Sequence, residues 1–141
     1  YMEIKNLIIA GGQPIVGHEG KTISGRRIRA YDSNGVGSTS CVDQLVSKRL
    51  SPKEKQITIP LGESVEFSAM NIKCSNSDAP QSLTLASRKK DVELKDDGKN
   101  GDIFAGDGIY TNVWTANEVG YFEFTFSSGE VVSVNVYDET L

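Results

Sequence analysis

Cysteine, histidine and tryptophan are scarce in this chain, and the shortage of the first two argues against zinc sites and histidine-based catalysis. The 141 residues include two cysteines, one histidine and one tryptophan. A structural zinc site takes four cysteine or histidine ligands, so the chain has too few soft ligands to build one. The single histidine, His18, lies in a glycine-rich polar stretch with no serine or aspartate partner that the sequence identifies. We therefore expect it to be a solvated loop residue and not a catalytic base.

Basic charge and long apolar runs are also missing. The formal net charge of −4 gives no basic face, which argues against nucleic acid and anionic lipid surfaces as partners. No apolar run approaches the roughly 20 residues that a helix needs to span a bilayer. The chain begins at Tyr1 in strand-like sequence, without a signal peptide. We interpret it as a fragment of a longer secreted precursor.

What the sequence has in abundance is glycine, concentrated in one acidic segment, Leu94–Tyr110, which we call the acid loop. It holds four aspartates, one asparagine and four glycines between two apolar, strand-like runs. Each glycine would cost about 1 kcal/mol in a helix, whereas Asp-Gly and Asn-Gly steps favour turns with positive φ. The three such steps are Asp97-Gly98, Asn100-Gly101 and Asp107-Gly108. These features predict a structured loop, which the apolar residues Ile103, Phe104 and Ala105 would pin to a core.

Apolar residues alternate with polar ones through most of the chain after residue 40. Seven or eight short strands at spacings near ten residues predict an all-β, antiparallel immunoglobulin-like or fibronectin III-like β-sandwich over residues 41–138. Pro60 suits an edge strand, because proline offers no ladder donor. Residues 34–40 have the composition of a Gly/Ser-rich linker, and residues 1–33 that of an irregular or partly helical extension with Ser24 as a helix N-cap. The expected core includes Phe67, Leu85, Trp114, Phe122, Phe124 and Val134.

The acid loop also carries a resemblance to a known domain family. Its run from Asp96 to Tyr110, followed by Trp114-Thr115 and Gly120-Tyr121-Phe122, resembles the signature of an immunoglobulin-like β-sandwich. That domain is appended to secreted bacterial proteins and to some eukaryotic secreted metalloprotease-like proteins. The similarity covers residues 57–136 and implies a fold and an extracellular setting. It does not imply a reaction.

Residues 4–33 resemble the last segment of the catalytic domain of a subtilisin-like protease. The similar runs are Lys5-Asn6-Leu7-Ile8 with Gly11-Gly12, and Ser24-Gly25 with Arg27-Ile28 and Ala30. In that family they end the peptidase fold with its final helix. The resemblance implies that residues 1–33 are the tail end of a catalytic domain whose catalytic residues precede Tyr1. The nucleophilic serine in its Gly-Thr-Ser context has no counterpart here, so we expect this chain to be catalytically inactive.

Together these similarities imply a non-catalytic accessory domain of a secreted bacterial subtilisin-like serine endopeptidase. Its partner would be the upstream catalytic domain, and it would stabilise the enzyme or hold it near its protein substrate or a cell surface. The alternative is a stand-alone extracellular module that binds carbohydrate or protein. A sugar platform would need exposed aromatics, and only Tyr110, Trp114 and Tyr121 are candidates. We expect Trp114 to pack in the core, which disfavours the platform.

Cys41 and Cys74 are expected to form a disulfide if the domain is extracellular. In an oxidising compartment the pairing would contribute about 3–4 kcal/mol in the chain-entropy model. The alternative is two unrelated buried thiols.

The acid loop has an inventory of oxygen ligands that suits calcium. Calcium takes about six to eight oxygens from carboxylates, amides and main-chain carbonyls, although the spacing here is not that of an EF-hand. The candidate ligands are Asp96, Asp97, Asn100, Asp102 and Asp107. The alternative is that these side chains only cap turns by accepting backbone N–H bonds. As an acid and a base for catalysis, the same carboxylates have little support, because nothing in the sequence indicates a pocket or a neighbouring histidine.

Overall fold

The computed structural model describes residues 13–14, 26–27, 45–73 and 80–140. The chain divides into two compact units, Tyr1–Val46 with Asn71–Ala79, and Ser47–Met70 with Pro80–Leu141. His18, Cys41 and Cys74 lie outside the described residues, as does the 34–40 segment. The disulfide and the linker therefore stay predictions.

Ten strands form the described part of the chain, and the sequence alternation places most of them. They are β1 (Gln13–Pro14), β2 (Arg26–Arg27), β3 (Leu45–Ser51), β4 (Gln56–Pro60), β5 (Ser64–Lys73), β6 (Ser82–Leu85), β7 (Val92–Lys95), β8 (Ile109–Thr115), β9 (Gly120–Thr125) and β10 (Val131–Tyr137). The described residues contain no helix, and therefore none long and apolar enough to cross a membrane.

Strands β3 to β10 form two sheets, which confirms the predicted all-β sandwich. One sheet has the order β4-β10-β9 and the other β3-β5-β8-β7-β6. The short strand β4 lies at a sheet edge and ends at Pro60, as its proline predicts.

The pairing of β4 with β10 departs from the antiparallel pattern. Strands β4 and β10 run parallel, with Ile57 opposite Val134 and Ile59 opposite Val136. Parallel neighbours need a long connection, and here all the strands from β5 to β9 lie between them in the chain. Local alternation reports which face a residue occupies but not the direction of its partner strand, so the sequence could not show this.

The N-terminal extension, predicted to be irregular or partly helical, is described only at residues 13–14 and 26–27. Arg26 and Arg27 pair with Pro14 and Gln13 in a two-residue antiparallel ribbon, and they are not part of a helix that begins at Ser24. The prediction of a helix after Ser24 rests on Ile28 and Tyr31, which are spaced three residues apart, and one such pair is a weak periodic signal.

The core of the second unit lies between the two sheets. The five-stranded sheet contributes Phe67, Leu85 and Leu94, and the three-stranded sheet contributes residues including Phe124 and Val134, all of them fully buried. Every second residue is buried along β7, β9 and β10, which is what period-two patterning predicts, whereas β5 buries residues 67–70 in succession. Five of the six predicted core residues are buried, and the sixth, Trp114, is partly buried against them.

An aromatic cluster joins the two sheets. The ring of Phe67 lies 4.7 Å from that of Phe124, and Trp114 lies 5.1 Å from both Phe122 and Phe124. These tilted and edge-to-face arrangements are the preferred ones for aromatic pairs. The single tryptophan therefore packs against the core, as the sequence predicts.

Candidate functional site: the acid loop

The acid loop connects two antiparallel neighbours of the five-stranded sheet, β7 and β8. It is long for a hairpin connection, and its conformation is set by hydrogen bonds between its own carboxylates and its own backbone. Glycines supply the positive φ angles at four positions, and Asn100 supplies a fifth at +51°.

Asp96 organises the C-terminal half of the loop. Its Oδ1 accepts hydrogen bonds from the backbone N–H groups of Gly106 at 2.6 Å and Asp107 at 3.2 Å. Its Oδ2 accepts one from Gly108 at 2.8 Å. Three successive N–H groups that converge on one carboxylate form a concave anion-binding arrangement, or nest. The side chain of Asp96 thus fixes a backbone segment ten to twelve residues further along the chain.

Asp102 organises the N-terminal half. This residue is only 7% exposed, and its Oδ2 accepts a hydrogen bond from the N–H of Gly98 at 2.6 Å. Its own N–H donates to the carbonyl of Lys99 at 3.0 Å. The two residues between, Asn100 and Gly101, have φ of +51° and +96°. These values match a type I′ turn, for which Asn-Gly is the preferred central pair.

Asp97 and Asp107 make shorter-range caps. Asp97 Oδ1 accepts from the N–H of Lys99 at 3.0 Å, and Asp107 Oδ1 accepts from the N–H of Ile109 at 2.9 Å. Both bonds reach two residues along the chain, which is the Asx-turn pattern. All four aspartates of the loop therefore cap turns.

The apolar residues of the loop do not anchor it, which corrects the expectation from sequence. Ile103 is 79% exposed and Phe104 is 68% exposed, and Ala105 is exposed as well. Apolar side chains on the surface are common, so three in a row do not require burial. The loop is held instead by its carboxylates and by a close approach of its backbone to the sheet.

That close approach occurs at Gly101. A Cβ atom there would lie 3.0 Å from Glu66 Oε2, 3.1 Å from Thr111 Cγ2 and 3.4 Å from Val113 Cγ2. Gly101 therefore packs closely on side chains of β5 and β8, where a Cβ would force its neighbours to shift by a few tenths of an ångström.

We expect Gly101→Ala to destabilise the domain by about 2 kcal/mol, from a left-handed φ of +96° and from the new contacts with the sheet. The free energy of unfolding in urea measures it. Gly62→Ala is the matched control, because Gly62 has φ of +92° and nothing within 4 Å of its Cβ position. We expect about 1 kcal/mol for the control from strain alone. Equal losses in the two variants would contradict the packing of the loop on the sheet.

Three of the five predicted calcium ligands lie together. Asp96, Asp102 and Asp107 can each place one carboxylate oxygen so that all three lie within 4.8 Å of one another. Asp97 is not part of this group, and Asn100 occupies the first of the two left-handed positions of the type I′ turn. The sequence placed all five residues in one loop, but their order could not show which side chains converge.

Burial raises the pKa of Asp96 above its ordinary value of 3.8. The N–H groups of Gly108, Gly106 and Asp107 act on this pKa in the opposite direction, and the charge of Asp107 raises it a little further. The pKa of Tyr110 is also raised, first by burial and then by the charge of Asp96. At Asp96, burial therefore outweighs the three backbone donors that favour the ionised carboxylate, and its pKa is raised.

The three clustered carboxylates can supply part of the coordination shell of a divalent cation. Three carboxylates offer six oxygens, four of which accept the backbone hydrogen bonds described above. Calcium needs about six to eight oxygen ligands, so carbonyls or water would have to complete the shell. An oxygen that accepts one N–H retains a second lone pair, so turn capping and cation binding are compatible.

The three aromatics considered for a sugar platform do not share a surface. Tyr110 is 2% exposed and its hydroxyl donates to the carbonyl of Pro80 at 2.6 Å. Trp114 packs against the core on one sheet. Tyr121, on the other sheet, is 58% exposed, and its hydroxyl donates to Ser133 Oγ at 2.9 Å. Stacking of a sugar needs coplanar exposed rings, and this trio has only one exposed member.

The fold and the loop together define an all-β sandwich with a carboxylate-capped connection between two strands. Comparison of the chain with protein-family models, with curated proteins and with solved structures finds no match in any of the three. Function is therefore inferred from the sequence and from the geometry of the loop.

The backbone donors of the nest were not recognised from the sequence. Gly106, Asp107 and Gly108 act through their N–H groups, and for two of them no side chain signals the role. The run Gly-Asp-Gly after an upstream aspartate is the pattern that could have indicated it.

Proposed function

We propose that this chain is the non-catalytic accessory domain of a secreted subtilisin-like serine protease of bacterial type. It stabilises the enzyme or holds it near its protein substrate or a cell surface, and its partner is the catalytic domain that precedes it. Two features support the proposal: the similarity of residues 4–33 to the end of a peptidase domain, and the acid loop that follows in the sandwich.

The hydrogen bonding of the acid loop carries the proposal furthest. The aspartates and glycines that give the loop its resemblance are the residues that cap and close its turns, through bonds such as Gly98 to Asp102 and Gly108 to Asp96. The motif therefore has an architectural explanation. A motif that serves to build the loop fits an accessory domain that has no catalytic role of its own.

The chain is expected to cleave neither casein nor short peptide substrates, because the nucleophilic serine of the family has no counterpart in it. Release of soluble peptides and of a chromophoric leaving group measures this, with an intact subtilisin-like protease as positive control. Hydrolysis that survives repurification and is blocked by a serine-directed inhibitor would contradict the proposal. Activity that is lost on His18→Ala would contradict it as well.

The alternative, a stand-alone carbohydrate- or protein-binding module, has less support. Its best candidate surface would need Tyr110 and Trp114 beside Tyr121, and the first two rings are packed in the fold. A tryptophan in an apolar surrounding gives blue-shifted fluorescence that soluble quenchers reach poorly, and a sugar platform would give the opposite.

We further propose that the acid loop holds a calcium ion through Asp96, Asp102 and Asp107. The supporting observations are their convergence within 4.8 Å and the raised pKa of Asp96, which a cation would lower. Calcium would supply only structural charge compensation here, and the loop residues would hold it while still capping their turns.

Calcium is expected to raise the melting temperature of the chelator-stripped chain by several degrees and to give a measurable heat of binding. Asp107→Asn should abolish both effects, because the amide oxygen can still cap Ile109 while the charge is lost. Asp138→Asn is the control, since Asp138 caps Thr140 in the same way but lies outside the cluster. An unchanged melting temperature in millimolar calcium, with no heat of binding, would leave turn capping as the whole role of the loop.

A further inference from the structure

The three Asx-Gly steps of the acid loop differ in the hydrogen bond that the glycine N–H donates. The N–H of Gly98 donates to Asp102 Oδ2 at 2.6 Å, and that of Gly108 donates to Asp96 Oδ2 at 2.8 Å. The N–H of Gly101 donates none of the hydrogen bonds found among the described residues. This contrast matters because the backbone nitrogen that follows an Asn or Asp is the nucleophile when that side chain cyclises.

Asn100 is free to react in other respects. Its side chain is exposed and makes no hydrogen bond within the described ranges 45–73 and 80–140. Gly101 has no Cβ to obstruct approach to the amide carbon. The neighbouring side chains at the other two steps are engaged, since Asp97 caps Lys99 and Asp107 caps Ile109.

We propose that Asn100 is a site of spontaneous deamidation. The backbone nitrogen of Gly101 attacks Cγ of Asn100, and a five-membered succinimide forms as the bond from Cγ to the side-chain nitrogen breaks. The proton of the Gly101 N–H passes through solvent to the departing nitrogen, which leaves as ammonia. Water then opens the ring at either carbonyl and yields aspartate or isoaspartate. The sum is amide plus water to acid plus ammonia, with no change of oxidation state.

The isoaspartate product would change the loop most. It adds one methylene to the main chain inside the turn closed by Lys99 and Asp102, where the two central φ angles are +51° and +96°. Gly101 has little space to move toward the sheet, because side-chain atoms of Glu66 and Thr111 lie 3.0 and 3.1 Å from the position that its Cβ would take. Both products also add a negative charge to a loop that already carries four aspartates. The inference rests on this geometry and is independent of the proposed function.

The experiment is ageing of the purified chain in mildly alkaline buffer, followed by peptide mapping with fragmentation that separates aspartate from isoaspartate. Asn100 should convert to both products faster than Asn112, whose next residue is valine, and without isomerisation at Asp97 or Asp107. A short synthetic peptide with the loop sequence sets the unrestrained rate, and Asn100→Gln should remove the modification. Asn100 that stays intact while the peptide converts fully would overturn the proposal, as would faster change at the two Asp-Gly steps.

A second measurement separates the backbone change from the added charge. Aged protein in which peptide mapping finds isoaspartate at position 100, and Asn34 still intact, should melt below fresh protein, whereas Asn100→Asp should melt close to it because its backbone is normal. Equal melting of aged and fresh protein would overturn the inference that the product loosens the loop. If Asn100→Asp lowered the melting temperature as much as ageing does, the inserted methylene would not be the cause of the loss.

Discussion

Asp96→Ala is expected to lower the free energy of unfolding by about 3 kcal/mol, which would make Asp96 the most important side chain of the acid loop. The substitution removes the acceptors of three backbone N–H groups, those of Gly106, Asp107 and Gly108. Each such bond contributes about 1 kcal/mol net, and groups left without a partner add to the loss where water does not reach them. Urea unfolding at neutral pH, in the presence of chelator, measures the effect without a contribution from calcium.

Two further variants test the mechanism. Asp97→Ala removes a single exposed bond to Lys99 and should cost about 0.5 kcal/mol. The loss of unfolding free energy in Asp96→Asn should fall between the losses of these two alanine variants. The amide oxygen of the asparagine can still accept a hydrogen bond, whereas its NH₂ group would face an N–H donor. If Asp96→Ala and Asp97→Ala were equally mild, the nest at residues 106–108 would not be what holds the loop.

Phe67→Ala is expected to destabilise the domain by about 4 kcal/mol, which follows from its place in the aromatic cluster. The ring is fully buried, 4.7 Å from Phe124, 6.2 Å from Phe126 and 6.4 Å from Trp114. Removal of such a ring loses its transfer free energy and leaves a cavity that the two sheets cannot close. Thermal and urea unfolding both measure it, and the fluorescence of Trp114 should shift because a neighbour is lost.

Phe104→Ala makes the same chemical change at a residue that is 68% exposed, so it is the matched control. We expect a loss below about 0.5 kcal/mol there. A large loss on Phe104→Ala would restore the expectation from sequence that this residue anchors the loop. A small loss on Phe67→Ala would contradict the position of the core between the sheets.

The sandwich could be predicted from sequence because its physical cause is local. Phe122, Phe124 and Phe126 alternate with exposed residues, and all three are buried on one face of β9 and its extension. Pro60 predicts an edge because it lacks a donor, and it ends an edge strand. The parallel pairing of β4 with β10 could not be predicted in this way, since the partner lies at the far end of the chain.

The acid loop could be predicted only at the level of its turns. Asp-Gly and Asn-Gly steps act locally, and positive φ is found at Gly98, Gly101, Gly108 and Asn100. Which oxygen meets which N–H depends on how the turns stack, so the long-range bonds from Asp96 have no local signature. The error at Ile103 and Phe104 has a related cause, because apolar character predicts burial only when the backbone geometry permits it.

The function proposed for the chain rests on the claim that it serves a protease domain upstream. The most direct test is the parent protein with and without residues 41–141, provided that the sequence before Tyr1 contains the serine in its Gly-Thr-Ser context. Both forms are assayed for turnover of a short peptide, half-life at elevated temperature and retention on insoluble protein substrate. We predict unchanged peptide turnover and a marked loss of either half-life or retention in the truncated form. A truncated enzyme equal to the parent in all three, or a parent without a catalytic serine, would contradict the claim.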